Sequence, residues 1–110
     1  MRKTFVAVAA VAGLFAGAVP ASAVAHQEYV GGYWSYQHFE QGQAFGSNGA
    51  LIPQIWMDRA TSGNPSRWDG WIGAQRNSFY TQKVPFGNYW WRTCFEGNGG
   101  RFHCGSWFHA

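Results

Sequence analysis

Two cysteines near the end of the chain, Cys94 and Cys104, restrict its fold more than any other feature. They flank residues 97–100, whose sequence Gly-Asn-Gly-Gly is typical of the turn of a β-hairpin between aromatic-rich strands. We therefore predict a disulfide across this hairpin. The chain-entropy model assigns such a short loop roughly 2.5 to 3 kcal/mol of stability. A metal site made of these cysteines and His103 is disfavoured, because no fourth ligand stands at a familiar spacing.

The cysteine pairing also predicts the register of the rest of the hairpin. It pairs Phe95 with His103, Thr93 with Gly105, Trp91 with Trp107, and Trp90 with Phe108. Because side chains alternate along a strand, we expect Trp91, Phe95 and Trp107 on one face. We expect Trp90 and Arg92 on the other face, together with the disulfide.

The beginning of the chain has the three parts of a secretory signal peptide. Arg2 and Lys3 precede an apolar run over residues 5–19, and small residues follow. Cleavage sites of the Ala-x-Ala type end at Ala23 and at Ala25, and both remain open. The segment predicts a secreted, extracellular protein with no membrane span after processing.

Removal of residues 1–25 leaves one small domain, residues 26–110, with almost no net charge. Six basic side chains remain against five acidic ones, a net charge of +1. Nucleic acid is therefore not a predicted partner, because its capture requires a basic patch or stripe. A disulfide suits an exported protein, since that compartment is oxidising.

The pattern of the mature chain predicts an all-β fold, either a small β-sandwich or a barrel. Helical periodicity is poor, whereas short aromatic-rich runs alternate with turn signals. The predicted elements are one or two strands over 29–39 with a break at Gly31-Gly32, a loop over 42–49, a strand over 51–57 that is either an edge strand or begins after Pro53, a long turn over 58–66, strands over 68–75 and 79–84, a turn over 85–88, and the terminal hairpin.

The mature chain holds more aromatic residues than a small core can bury. Nineteen of the 21 lie after the predicted signal peptide, and each large aromatic side chain covers roughly 150 to 250 Å². We expect some of them to form an exposed platform for a ligand, with polar neighbours to orient it. The predicted ligand-binding residues are Trp34, Tyr36, Trp68, Asp69 and Trp71. For any single tryptophan, packing in the core is the alternative.

His26 is a candidate metal ligand that depends on the cleavage site. Cleavage after Ala23 leaves Val24-Ala25-His26, whose amine, amides and imidazole suit square-planar Cu(II) or Ni(II). Cleavage after Ala25 makes His26 the first residue, which resembles the N-terminal half of the histidine brace of copper monooxygenases. The alternative is a histidine that stands beside the signal site by chance. No other cofactor is predicted.

Enzymatic function is not predicted, because no nucleophile–base–acid arrangement is present. Asp58 and Asp69 lie near tryptophans, which can raise a carboxyl pKa in glycosidases, but aspartates more often form turns. Arg92, Glu96 and His103 are close in sequence, yet the predicted register places His103 on the opposite face from the other two.

Three short motifs resemble lactococcin 972-type bacteriocins. They are residues 31–36 (Gly-Gly-Tyr-Trp-Ser-Tyr), 70–74 (Gly-Trp-Ile-Gly-Ala) and 89–91 (Tyr-Trp-Trp), in the same order and with comparable gaps. The resemblance implies a small exported β-sandwich that interferes with cell-wall synthesis through its lipid-linked precursor. This chain lacks the Ser/Thr- and His-rich middle of that family and adds the cysteine hairpin.

Together these patterns predict a secreted, non-enzymatic binding protein that uses exposed aromatic residues. The expected partner is an extracellular glycan, such as a cell-wall component, or a secreted protein. One alternative is a bacteriocin or toxin that acts on cell-wall synthesis. Another is a small secreted enzyme inhibitor that presents the turn at 68–70 or at 98–100 to a partner.

Overall fold

The computed structural model of the protein describes residues 24–109, which form eight β-strands and no α-helix. The strands are β1 Val24–Val30, β2 Tyr33–Glu40, β3 Gln43–Ala60, β4 Asp69–Tyr80, β5 Val84–Pro85, β6 Trp90–Glu96, β7 Phe102–Cys104 and β8 Phe108–His109. A short 3-10 helix, Asn98–Gly100, joins β6 to β7. The all-β prediction is confirmed. Most of the predicted signal peptide, residues 1–23, lies outside the described residues. Within residues 24–109, no helix has the length and apolar character needed to cross a membrane.

The strands form one antiparallel sheet that curves until it nearly closes. Its main order is β1-β2-β3-β6-β7, while β4 and β5 pair with β3 and β8 pairs with β6. Side chains connect β1 to the end of the chain: the Ser106 N–H donates to Glu28 Oε1 at 3.0 Å. The His26 ring also stacks on Phe108 with 5.1 Å between centroids. These contacts bring the first strand against the last.

The long strand β3 organises the sheet because it changes partners along its length. Residues 43–48 pair with β2, and residues 54–60 pair with β6. The predicted loop over 42–49 is therefore wrong. Glycine at position 46 lets the backbone pass close to β6, because a Cβ there would collide with the Thr93 side chain. The turn is instead Gln41-Gly42, both with positive φ, as tight hairpin turns require.

Pro53 lies inside β3, between the section paired with β2 and the section paired with β6. The prediction of an edge strand is wrong, because β3 has partners on both sides. A strand tolerates proline where its ladder is interrupted, and β3 changes partner and register at this point.

The other turns agree with the sequence in part. The break at Gly31-Gly32 is confirmed, and both glycines have positive φ. The long turn is shorter than predicted, since Asp58 belongs to β3. The predicted strands over 68–75 and 79–84 are largely one strand, β4, which continues through the bulges beside β3.

The terminal hairpin has the predicted disulfide, Cys94–Cys104, and the predicted pair Phe95–His103. The hydrogen bond from the Gly105 N–H to the Thr93 carbonyl at 2.9 Å agrees with the predicted pair Thr93–Gly105. Beyond Gly105 the predicted register is wrong: Trp91 pairs with Phe108 instead of Trp107, because residues 106 and 107 lie outside the ladder. A shift of one residue exchanges the two faces of a strand. It therefore moves Trp107 to the face of the disulfide.

The interior consists of two apolar clusters with a polar layer next to them. Ala44, Met57 and Trp91 form one cluster, and Ile52, Ile55 and Phe95 form the other. Thr93 lies between Trp91 and Phe95 on the inner face of β6. Its hydroxyl donates to the Tyr36 carbonyl at 2.8 Å, and the buried Gln37 amide donates to the Phe45 carbonyl at 3.2 Å. These buried polar groups are therefore paired, as a stable interior requires.

The disulfide should supply a large share of the stability of this small domain. Replacing Cys94 and Cys104 together by alanine should lower the free energy of unfolding by roughly 2.5 to 3 kcal/mol, because the unfolded chain gains freedom. Urea titrations of the wild type and the double variant measure the difference. Equal midpoints and slopes would contradict this prediction.

Glu28 holds the first strand against the last in a pH-dependent way. Burial alone would raise the pKa of Glu28, but hydrogen bonds from His26 and Ser106 outweigh it and lower this pKa below its ordinary value. Because the folded-state pKa lies below the unfolded one, the stabilisation is present above the unfolded pKa. It is lost as the pH falls through the folded pKa.

Glu28→Gln should therefore lower the free energy of unfolding by about 1 kcal/mol at neutral pH. The difference from wild type should disappear in acid, where the wild-type carboxyl is also uncharged. Denaturant titrations across this pH range test it, with exposed Glu40→Gln as the control. A difference that stays constant down to the acid limit would disprove the assignment.

Candidate functional site

The outer side of β3, β4, β6 and β7 carries a set of aromatic side chains that we call the aromatic face. Its members are Trp56, Trp68, Trp71, Phe102 and Trp107. In β3, strand alternation places Trp56 there: Ile55 and Met57 point into the core, so Trp56 and Asp58 point outward. In β6, Arg92 and Cys94 lie on the same outer side.

One half of the aromatic face is a cluster of three rings. The Trp56 and Trp71 rings stack with 3.8 Å between centroids, and Phe102 meets Trp56 and Trp71 edge-on at 5.1 and 5.6 Å. Trp56 is buried, whereas Trp71 is 47% exposed and Phe102 is 57% exposed. The buried ring thus supports two rings that remain open to solvent.

Trp71 reaches this position through an unusual backbone. Between the pairs Met57–Ile72 and Arg59–Asp69, β4 has one residue more than β3, which makes a β-bulge. Trp71 itself has a φ of 59°, which is rare for a bulky residue. Bulges change the direction of a side chain, and this one lays the Trp71 ring over Trp56.

The other half of the aromatic face is built around Arg92. Its guanidinium lies 4.9 Å from the Trp68 ring centroid and 4.5 Å from that of Trp107, so both are in cation–π range. Its Nε donates to Asp58 Oδ2 at 2.8 Å. Trp68 is 51% exposed, and Trp107 is partly buried. Arg92 therefore holds the two tryptophans relative to the sheet.

Asp58 is buried among the disulfide, Arg92 and the start of β4. Its Oδ2 lies 3.3 Å from Cys94 Sγ, a contact without a proton because a disulfide sulfur has none to donate. A Cβ on Gly70 would lie 3.0 Å from Oδ1. Asp58, Cys94 and Cys104 are the one group of three possible metal ligands within 4.8 Å among residues 24–109. The two sulfurs are bonded to each other, so this group has no thiolate for a metal.

A cavity of about 300 Å³ opens beside Trp68, where β3 ends and β4 begins. The polar and aromatic side chains around it are Arg59, Thr61, Arg67, Trp68, Asp69 and Tyr89. Arg59 Nη2 donates to Asp69 Oδ2 at 3.2 Å, and its guanidinium lies 4.6 Å from the Tyr89 ring centroid. Trp68 borders both the cavity and the aromatic face.

The structure brings together three of the five predicted ligand-binding residues, Trp68, Asp69 and Trp71. Trp34 and Tyr36 lie on β2 instead. Trp34 is 46% exposed and meets Tyr29 edge-on at 5.4 Å, on the β1–β2 hairpin. Tyr36 is partly buried, and burial raises its pKa.

Sequence reasoning missed the residues that complete the site. Trp56, Phe102 and Arg92 follow from strand alternation once β3 and the hairpin are aligned. Arg59 carries no local signal, because only the fold joins the two ends of the long turn. Arg67 does carry one, since it directly precedes Trp68 and is a predicted polar neighbour of the platform. The predicted face of Trp107 is wrong because of the register error.

His26 lies within β1, opposite Gln37. Its Nε2 lies 2.8 Å from Glu28 Oε1, and its ring stacks on Phe108. Chelation of copper through the amine and amides before His26 would require the start of β1 to leave β2. The metal site at His26 stays a prediction.

Two of the three carboxylates that are candidates for catalysis have cationic partners. Asp58 pairs with Arg92, and Asp69 pairs with Arg59. Glu96 accepts a hydrogen bond from Gln54 at 3.4 Å, while His103 lies beside Phe95 on the inner side of the hairpin. Arg92 and Glu96 lie on the opposite face from His103. This placement agrees with the predicted register of the terminal hairpin.

Comparisons of this chain with protein-family models, with curated proteins and with solved structures found no match.

The pairing of Asp58 with Arg92 should be important for stability. Arg92→Ala should lower the free energy of unfolding by about 3 kcal/mol, because it leaves a buried carboxylate without its cation. The double variant Asp58→Asn/Arg92→Met should recover part of that loss. Urea unfolding measures both, with exposed Arg76→Ala as the control. A loss for Arg92→Ala no larger than that for Arg76→Ala would contradict the role of the pair.

Proposed function

We propose that this protein is a secreted binding protein that holds an extracellular glycan, such as a cell-wall polymer, against its aromatic face. The observation that carries the proposal is the position of Trp68 and Trp71. Both are about half exposed, both stand at the start of β4, and Trp68 adjoins a cavity lined by charged side chains. Flat apolar rings beside directed polar groups suit a sugar, which has apolar C–H faces and polar hydroxyls at its edge.

The exposed rings have fixed positions, which favours binding. Trp71 is stacked on buried Trp56, and Trp68 packs against the Arg92 guanidinium, which Asp58 holds in turn. Because these contacts restrict the rings before a ligand arrives, association costs less conformational entropy than it would with mobile side chains. Exposed apolar surface of this kind on a small domain is typical of an interaction site.

Hydrogen-bonding groups lie within reach of a ligand on Trp68. Asp69 and Thr61 line the cavity and can accept hydrogen bonds from sugar hydroxyls, and Arg67 can donate. A net charge of +1 for the mature chain gives no general attraction for polyanions, which argues against nucleic acid.

The alternatives remain hypotheses of their own. A bacteriocin that acts on cell-wall synthesis would also need to bind wall material, and inhibition of bacterial growth would distinguish it. For an enzyme inhibitor, the segment 68–70 is unsuited as a projecting turn, because Asp69 and Gly70 belong to β4 and Asp69 pairs with Arg59. The tip of the hairpin, Asn98–Gly100, is exposed.

Sedimentation with insoluble cell walls tests the proposal. The mature protein should pellet with isolated Gram-positive walls, and Trp68→Ala and Trp71→Ala should each weaken binding by at least about tenfold, as loss of a central aromatic anchor does. Trp34→Ala is the matched control, since Trp34 has similar exposure but lies on the β1–β2 hairpin. A circular dichroism spectrum of each variant verifies its fold.

Two results would contradict the proposal. One is a wild-type protein that stays in solution with every wall preparation. The other is a loss for Trp34→Ala as large as the loss for Trp68→Ala, which would show that general apolar adhesion, and not the aromatic face, holds the protein to the wall.

A further inference from the structure

We propose that the cavity beside Trp68 binds the anionic oxygen group of an acidic glycan, a carboxylate or a phosphate. This inference rests on the proposed function and specifies its ligand class. The cavity has two arginines, Arg59 and Arg67, against one carboxylate, Asp69, so its lining has an excess positive charge. In a chain with a mature net charge of +1, that excess is local and not a property of the whole surface.

Arg59 has donor groups that the protein does not use. Its Nε is buried and has no hydrogen-bond partner among residues 24–109. Among the described residues, only its Nη2 has a hydrogen-bond partner, Asp69 Oδ2 at 3.2 Å. A guanidinium has five N–H donors. A buried N–H donor without an acceptor costs free energy, and that cost requires an explanation. The Nε is closed off from the cavity, but the Arg59 side chain lines it, so an oxyanion there would accept hydrogen bonds from those guanidinium N–H groups that remain open.

Arg59 is also held in a fixed position. Its guanidinium lies 4.6 Å from the Tyr89 ring centroid and 6.0 Å from that of Trp91, and Asp69 fixes one end. Asp69 opposes an anion by its own charge, but its pairing with Arg59 offsets that repulsion. Arginine in a fixed orientation suits planar recognition of a carboxylate or phosphate better than a mobile lysine does.

Arg67 supplies the unpaired charge. It is exposed, and no ion pair joins it to an acidic residue in the described part of the chain. The alternative to a ligand site is that Arg67 is a solvated surface arginine and that the neighbouring Arg59–Asp69 pair is purely structural. Its position in the lining of the same cavity as Arg59 favours a shared ligand.

The size and position of the cavity fit one sugar residue. Its volume of about 300 Å³ is at the lower end of small-ligand sites, which span roughly 300 to 1,000 Å³. Trp68 borders the cavity and belongs to the aromatic face, so a sugar ring stacked on Trp68 can place its anionic substituent between Arg59 and Arg67. Neighbouring sugars would then continue toward Trp71.

The experiment uses one wall preparation in three forms and the mature protein. The first form is untreated, the second has its carboxyl groups amidated, and the third has its phosphodiester-linked polymers removed with hydrofluoric acid. We compare the wild type with Arg67→Gln, and Arg101→Gln serves as the control because Arg101 is exposed but lies outside the cavity lining. Binding is measured by sedimentation at two salt concentrations.

We expect Arg67→Gln to weaken binding to untreated walls by about tenfold, as loss of a charge-assisted hydrogen bond does, and Arg101→Gln to have little effect. Either amidation or phosphate removal should weaken wild-type binding by the same factor. On the walls treated in that way, the wild type and Arg67→Gln should bind equally. The treatment that has this effect identifies the anion. The inference is overturned if neither treatment changes wild-type binding, or if Arg67→Gln and Arg101→Gln behave alike. If the wild type binds none of the three forms, the proposed function fails as well.

Discussion

The ion pair between Asp58 and Arg92 is the interaction on which the aromatic face depends. Asp58 is almost completely buried against the disulfide, and its Oδ2 accepts a hydrogen bond from Arg92 Nε at 2.8 Å. A carboxylate in such a place is tolerated only with a cation beside it. That cation is also the group on which Trp68 and Trp107 pack. The burial of one charge therefore sets the positions of two rings of the aromatic face.

The disulfide and the long strand β3 make this arrangement possible. Cys94 pairs with Trp56 across the β3–β6 ladder, and Cys104 pairs with Cys94 across the terminal hairpin. The covalent link thus holds β7 beside the strands that carry Trp56 and Asp58. On the inner side of the same strands, Met57 and Phe95 belong to the two apolar clusters. One set of strands stabilises the domain on one side and presents aromatic rings on the other.

Much of this architecture could be predicted from the sequence, because its signals are local. The glycine turn with its flanking cysteines defines the hairpin, and alternation places Phe95 opposite His103. The aromatic surplus correctly indicated exposed rings, and Trp68 and Trp71 lie together. Trp34 has the same local signal and a similar exposure, yet it lies on the β1–β2 hairpin. Which exposed tryptophans meet is decided by strand order, and composition does not encode that order.

The errors have physical causes that no local pattern reveals. Gly46 indicated a loop, but the absence of a Cβ allows the Thr93 side chain to approach β3. The sequence predicts a turn at Asp58, because its partner Arg92, which holds it in a strand, is 34 residues away along the chain. The predicted face of Trp107 is wrong, because residues 106 and 107 leave the ladder and shift the register by one. The cavity could not be predicted from the sequence, because Arg59 and Arg67 line it from opposite ends of the long turn.

The most direct test of the account follows the indole N–H signals of the tryptophans by nuclear magnetic resonance while soluble wall fragments are added. We predict that the signals of Trp68 and Trp71 shift with the same concentration dependence, that Trp107 follows through Arg92, and that Trp34 stays unchanged. Shifts confined to Trp34, or none at any tryptophan when wall fragments are in large excess, would contradict a glycan site on the aromatic face.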